Sequence, residues 1–176
     1  MALPDSFVYS LGTPVIWGEA SGSGVTNTLS LDALADGSGR MGASVDLGAT
    51  FAQLYLVQFR VETGTAPTAG NRADLYFACS FDGTTFAGGV TGSDAAWPSD
   101  GNEDEWAVQL EYITSLVATN DGNTVQVAPA VLWVPKGRYV APVVDNNLGQ
   151  AFRDEATASN NDSRVILYPL NSTVVD

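Results

Sequence analysis

Residues 53–62, Gln-Leu-Tyr-Leu-Val-Gln-Phe-Arg-Val-Glu, restrict the fold more than any other stretch of the chain. Tyr55, Val57, Phe59 and Val61 recur at every second position, with Gln58, Arg60 and Glu62 opposite them. A strand sends such residues to one face, whereas a helix would scatter them round its cylinder. Residues 73–81 repeat the design, with Leu75, Phe77, Cys79 and Phe81 expected inward. Asp82-Gly83 then reads as the tight turn of a hairpin into 84–86. Further short apolar stretches lie at 25–31, 41–47, 106–113, 124–127, 131–134 leading into 135–144, and 164–168, where the fold is expected to close before Pro169. Gly, Asp, Asn and Pro separate them. The pattern predicts an all-β fold: a single antiparallel β-sandwich, jelly-roll-like, of roughly eight to ten strands with little or no helix. A length of 176 residues suits one domain over 1–176, with 1–17 as an N-terminal arm or edge strand.

The side chains that are missing limit the chemistry. The chain has no histidine, one cysteine (Cys79) and one lysine (Lys136). Histidine is the usual base for a Ser or Cys nucleophile, so such catalysis lacks its partner. Lys136 lies in a Pro-Lys-Gly turn, a poor place for a Ser–Lys dyad. Two carboxylates could in principle form a glycosidase pair, but the sequence nominates none. Cys79 reads as a packed core thiol. Residues 37–42 match G-x-G-x-x-G by letter, yet a strand-like run follows where a dinucleotide site needs a helix, so they read as a turn. The expectation is a protein that is not an enzyme, with no catalytic residue, cofactor or metal.

Seven Lys plus Arg against 20 Asp plus Glu give a formal charge of −13. Such a surface repels phosphate backbones and anionic lipid, so neither nucleic acid nor a membrane is an expected partner. No apolar run approaches the ~20 residues of a membrane-spanning helix. The start of the chain lacks the charged and apolar regions of a signal peptide, which predicts synthesis in the cytoplasm. Asp94, Asp100, Glu103, Asp104 and Glu105 cluster in an acidic loop, 88–105, but without EF-hand spacing they read as solvated charge. Trp97, in that loop and followed by Pro98, is the candidate exposed aromatic for glycan contact.

Residues 135–149, Pro-Lys-Gly-Arg-Tyr-Val-Ala-Pro-Val-Val-Asp-Asn-Asn-Leu-Gly, followed by 165–170, Val-Ile-Leu-Tyr-Pro-Leu, resemble the C-terminal half of small β-sandwich proteins of tailed-phage virions. The segment 80–86, Ser-Phe-Asp-Gly-Thr-Thr-Phe, is similar to phage structural modules. The likeness covers about half the chain and is one of layout. It implies a capsid cement or decoration protein on the outer capsid surface, commonly a homotrimer, whose partners are the major capsid protein or other virion proteins. Phe7, Tyr9 and Trp17 in the N-terminal arm are the candidate subunit-contact residues. The Arg-Tyr-Val element is also similar to discoidin-like carbohydrate-binding jelly rolls, so a glycan-binding module is the alternative.

Overall fold

The computed structural model describes residues 6–98, 103–154 and 163–175. Two sheets pack face to face. The first holds β2 (Val15–Gly18), β6 (Tyr55–Glu62), β10 (Val125–Val127), β11 (Val131–Trp133) and β13 (Arg164–Val175), with β1 (Ser6–Leu11) and β3 (Asn27–Thr28) added. The second holds β4 (Ser38–Met41), β7 (Arg72–Ser80), β9 (Glu111–Val117) and β12 (Tyr139–Asn147), with β5 (Val45–Asp46) and β8 (Ala95–Trp97) added. A helix of one turn, α1 (Glu103–Ala107), precedes β9.

The strand order is that of a jelly roll. Numbered along the chain, the principal strands are β2, β4, β6, β7, β9, the β10–β11 pair, β12 and β13. In the first sheet they stand in the order one, eight, three, six, and in the second two, seven, four, five. Successive strands therefore cross between sheets, except four and five (β7 and β9), which are neighbours in the second sheet, as in two interleaved Greek keys. All named pairings are antiparallel except β2 with β3. More than ten segments appear because single strands are divided: β10 and β11 both pair with β6 and are separated by Pro129.

Alternation in β6 does what its sequence predicts, burying Tyr55, Val57, Phe59 and Val61 between the sheets. Ala73, Leu75 and Phe77 of β7 face them, with Val140, Val144, Val165 and Leu167 from β12 and β13. Phe77 lies edge-on to Trp133 at 4.7 Å and tilted to Trp17 at 6.3 Å, so one ring of the second sheet locks between two of the first.

Three local expectations are corrected. Phe81 is 85% exposed, because β7 ends at Ser80 and the Asp82 turn carries the chain away from the core. No hairpin strand follows that turn; β7 next pairs with β9. Residues 106–113 begin as the end of α1, and the strand starts only at Glu111.

The second sheet is covered on both faces. Met41, Ala78, Ala141 and Val143 on its outer side meet Val90 and Trp97 in a second small core, with Phe86, Trp106 and Leu110 packed against it. The connection between β7 and β9 thus folds back over the sheet.

Candidate interaction site: the terminal ribbon

Both ends of the described chain meet in one structure. β13 is twelve residues long. Its first part, Arg164 to Pro169, lies opposite β6 within the sandwich. From Leu170 onward its strand partner is β1, from Leu11↔Leu170 to Ser6↔Val175, with one further bond from the Leu170 amide to the Leu54 carbonyl at 2.9 Å. Six residue pairs at ~3.3 Å each make a two-stranded ribbon roughly 20 Å long. Such a ribbon has no core of its own and is marginal in isolation. Tyr9 is nevertheless 62% and Leu11 58% exposed, and Val8 is exposed as well. An open cleft of about 490 Å³ lies beside it, lined by Tyr9, Phe51, Gln53, Leu54, Leu170 and Ser172. Unpaired strand edges and exposed apolar side chains on one projecting element are what another sheet edge can bind.

The expected closure before Pro169 is therefore corrected: the strand runs through the proline. The Gly12 amide donates to the Pro169 carbonyl at 2.8 Å, on the edge where β1 has ended and β2 has not yet begun. A residue's N–H and carbonyl point to the same edge of a strand, so the missing donor falls in that gap and breaks no ladder.

Of the three candidate contact residues, the structure brings two to the ribbon. Tyr9 stands exposed on β1, and Phe7 lies opposite Val174. Trp17 does not belong with them. It is fully buried against Phe77, and its indole N–H donates to the Ala43 carbonyl at 2.8 Å. It sits in β2, inside the sandwich, because the chain crosses from ribbon to sheet between Leu11 and Val15. Val8 and Leu11 are further exposed apolar residues of the ribbon that sequence reasoning passed over. The apolar run 7–11 and the second run after Pro169 were their only signal.

Trp97 is also corrected: it is 1% exposed, not a surface aromatic. Its indole N–H donates to the Gly88 carbonyl at 2.8 Å, and its ring lies over β4. A Cβ on Gly39 would stand 2.7 Å from the Trp97 ring, so glycine at that position is what admits the indole. The glycan reading loses the platform nominated for it.

The acidic loop does not gather its carboxylates. Asp94 accepts from the Ser30 amide (3.1 Å) and hydroxyl (2.6 Å) and from Arg40 Nε (2.8 Å). Burial pushes its carboxyl up, but the bonds from Arg40 and Ser30 outweigh this and hold it below the usual range. Asp100 lies outside the described residues, as do the side chains of Glu103 and Asp104, while Glu105 is exposed. Among the described residues no three His, Cys, Asp or Glu side chains are grouped to hold a metal.

Lys136 pairs with Glu111 at 2.9 Å, beside a shallow hollow that Cys79 also lines. Burial pushes the Cys79 thiol up, away from the thiolate that a nucleophile needs. Four arginines likewise meet acids: Arg40 with Asp94, Arg72 with Asp74, Arg138 with Asp46 and Arg153 with Glu62. Pairing so many of the seven cations leaves the excess of acid to dominate the surface. No helix among the described residues is long and apolar enough to cross a membrane.

Compared with known proteins, the chain matches no family model, no curated sequence and no solved structure.

Proposed function

We propose that this protein is a non-enzymatic structural component of a tailed-phage virion, a decoration protein that bridges and stabilises major capsid subunits. The observation that carries the reading is the ribbon, an element built outside the core with apolar Val8, Tyr9 and Leu11 turned to solvent. In this role its free edges add a strand to a neighbouring subunit, and the exposed side chains lock the register. The sandwich supplies a rigid body from which the ribbon projects, and jelly rolls serve in capsids as well as in lectins. A charge of −13 favours the outer surface over a DNA-lined interior. The protein acts there as a homo-oligomer, without a cofactor.

Particles assembled with and without the protein test the proposal. Those that carry it are expected to keep their genome at temperatures and at low salt where bare particles release it. Equal survival of both would remove the stabilising role.

A further inference from the structure

At the edge of the segment that covers the second sheet, its outer face carries a row of rings beside rows of polar side chains. Tyr112 of β9 lies edge-on to Tyr76 of β7 at 5.7 Å, and Tyr76 is tilted to Trp97 at 6.4 Å. Of the three, Tyr112 stands open, 56% exposed on the edge strand. One step along the strands, Ser115, Asp74 and Asp145 are direct neighbours across β9, β7 and β12. A further step brings Arg72 opposite Asn147. Each step is roughly 7 Å, so one short oligosaccharide spans these rows. The rows face outward, because Ala73 and Leu75 between them point into the core. A bulge in β9 makes Ile113 the extra residue, so Tyr112 and Ser115, three apart in sequence, share that face.

A buried charge holds the open ring in place. The Asp74 carboxylate is 3% exposed and pairs with Arg72 Nε at 3.1 Å. It also accepts from the Ser115 hydroxyl, which lies 2.7 Å from the Tyr112 hydroxyl. A carboxylate only accepts, so the Ser115 proton goes to Asp74 and the Tyr112 proton to Ser115. Burying a carboxylate is costly, and apolar packing would serve the sheet as well. What Asp74 fixes is two exposed side chains, the Tyr112 ring and the Arg72 guanidinium. Side chains ordered in advance cost less to immobilise on binding.

We infer that this shelf binds an uncharged saccharide. The inference is independent of the ribbon, which belongs to the other sheet. A sugar ring offers an apolar C–H face and a rim of hydroxyls that both donate and accept. Tyr112 supplies an aromatic surface for the first. For the second, Arg72 supplies donors and Asp145 acceptors, while Asn147, whose amide donates to Asp145 at 2.8 Å, supplies both. Arg72 repels a cation at the shelf, and the two aspartates repel an anion, which leaves a neutral ligand. The charge of −13 acts against acidic glycans in the same direction.

The test is binding of the full chain to an array of neutral glucose-, galactose- and mannose-containing oligosaccharides and their sialylated counterparts. Wild type is expected to hold at least one neutral probe and not its sialylated counterpart. Tyr112→Ala should weaken that binding by about tenfold or more. Its circular dichroism spectrum should stay unchanged, since the side chain is exposed. Tyr112→Phe keeps the ring but cuts its tie to Ser115, and should fall between the two. Phe81→Ala, an exposed aromatic beyond the opposite end of β7, should bind as wild type does. A wild type that holds no neutral probe overturns the inference. Binding that survives Tyr112→Ala overturns the shelf, and equal binding of sialylated probes overturns the neutral ligand. Each of these failures leaves the stabilising role standing, because particle survival reads that role separately.

Discussion

Two aromatic residues show how far local sequence carries and where it stops. Trp97 stands in an acidic loop before a proline, which suggests exposure, yet it is buried. Its neighbours come from distant parts of the chain: Gly39 in β4, Tyr76 in β7 and the Gly88 carbonyl. Nothing within a few residues of Trp97 announces them. Phe81 errs the other way, extending the apolar alternation of β7 by one step beyond the strand's end. The clue lay in Asp82, whose carboxylate accepts from the Thr85 and Thr84 amides and from Ser80, so it is held well below the usual range. That turn chemistry ends the strand before Phe81 can face inward. Replacing Trp97 with alanine removes a whole buried indole, and urea unfolding should show a loss of about 3–5 kcal/mol. Phe81→Ala, at an exposed site, should stay within about 0.5 kcal/mol of wild type. Comparable losses at the two positions would contradict the burial assigned to them.

At the scale of elements, legibility follows how a strand is covered. β6 is buried on one face, so its period of two was plain. β7 and β12 are covered on both faces, and their sequences read as nearly continuous apolar runs instead. That continuity is present in 73–80, although the alternation read there turns only Leu75, Phe77, Cys79 and Phe81 inward, so the second small core is a finding of the structure. Pro169 misled as a stop, and Pro142, which the sequence reading runs through, shows the physical reason. Pro142 lies within β12, where Gly42 donates to its carbonyl just past the end of β4 and before β5 begins. Pro169 occupies the matching place in β13, between β2 and β1. Each falls where a neighbouring strand hands over to the next, so a proline that looks like a stop is a join. The ribbon beyond Pro169 is then an appendage to the core. Changing Tyr9 and Leu11 together to Asp should shift the melting temperature little, because neither side chain is buried. A drop as large as that of Trp97→Ala would show the ribbon to be part of the folding unit, and would weaken its reading as a contact arm.

For the whole molecule, the sequence pattern was enough for the sandwich but not for its strand order. Which strands pair depends on contacts between residues far apart in the chain, and no local period encodes them. The jelly-roll order emerges only from the register of β13 beside β2 and β6, and of β12 beside β4 and β7. The charge, by contrast, was readable at once and keeps its meaning: an acidic body with a projecting uncharged ribbon suits attachment at one place. Co-sedimentation of the purified chain with particles that lack it tests this most directly, comparing wild type with the Tyr9→Asp, Leu11→Asp variant. The account predicts that wild type pellets to a fixed number of copies per particle, while the folded variant stays in solution. Wild type that remains in the supernatant, or a variant that pellets equally well, would contradict it.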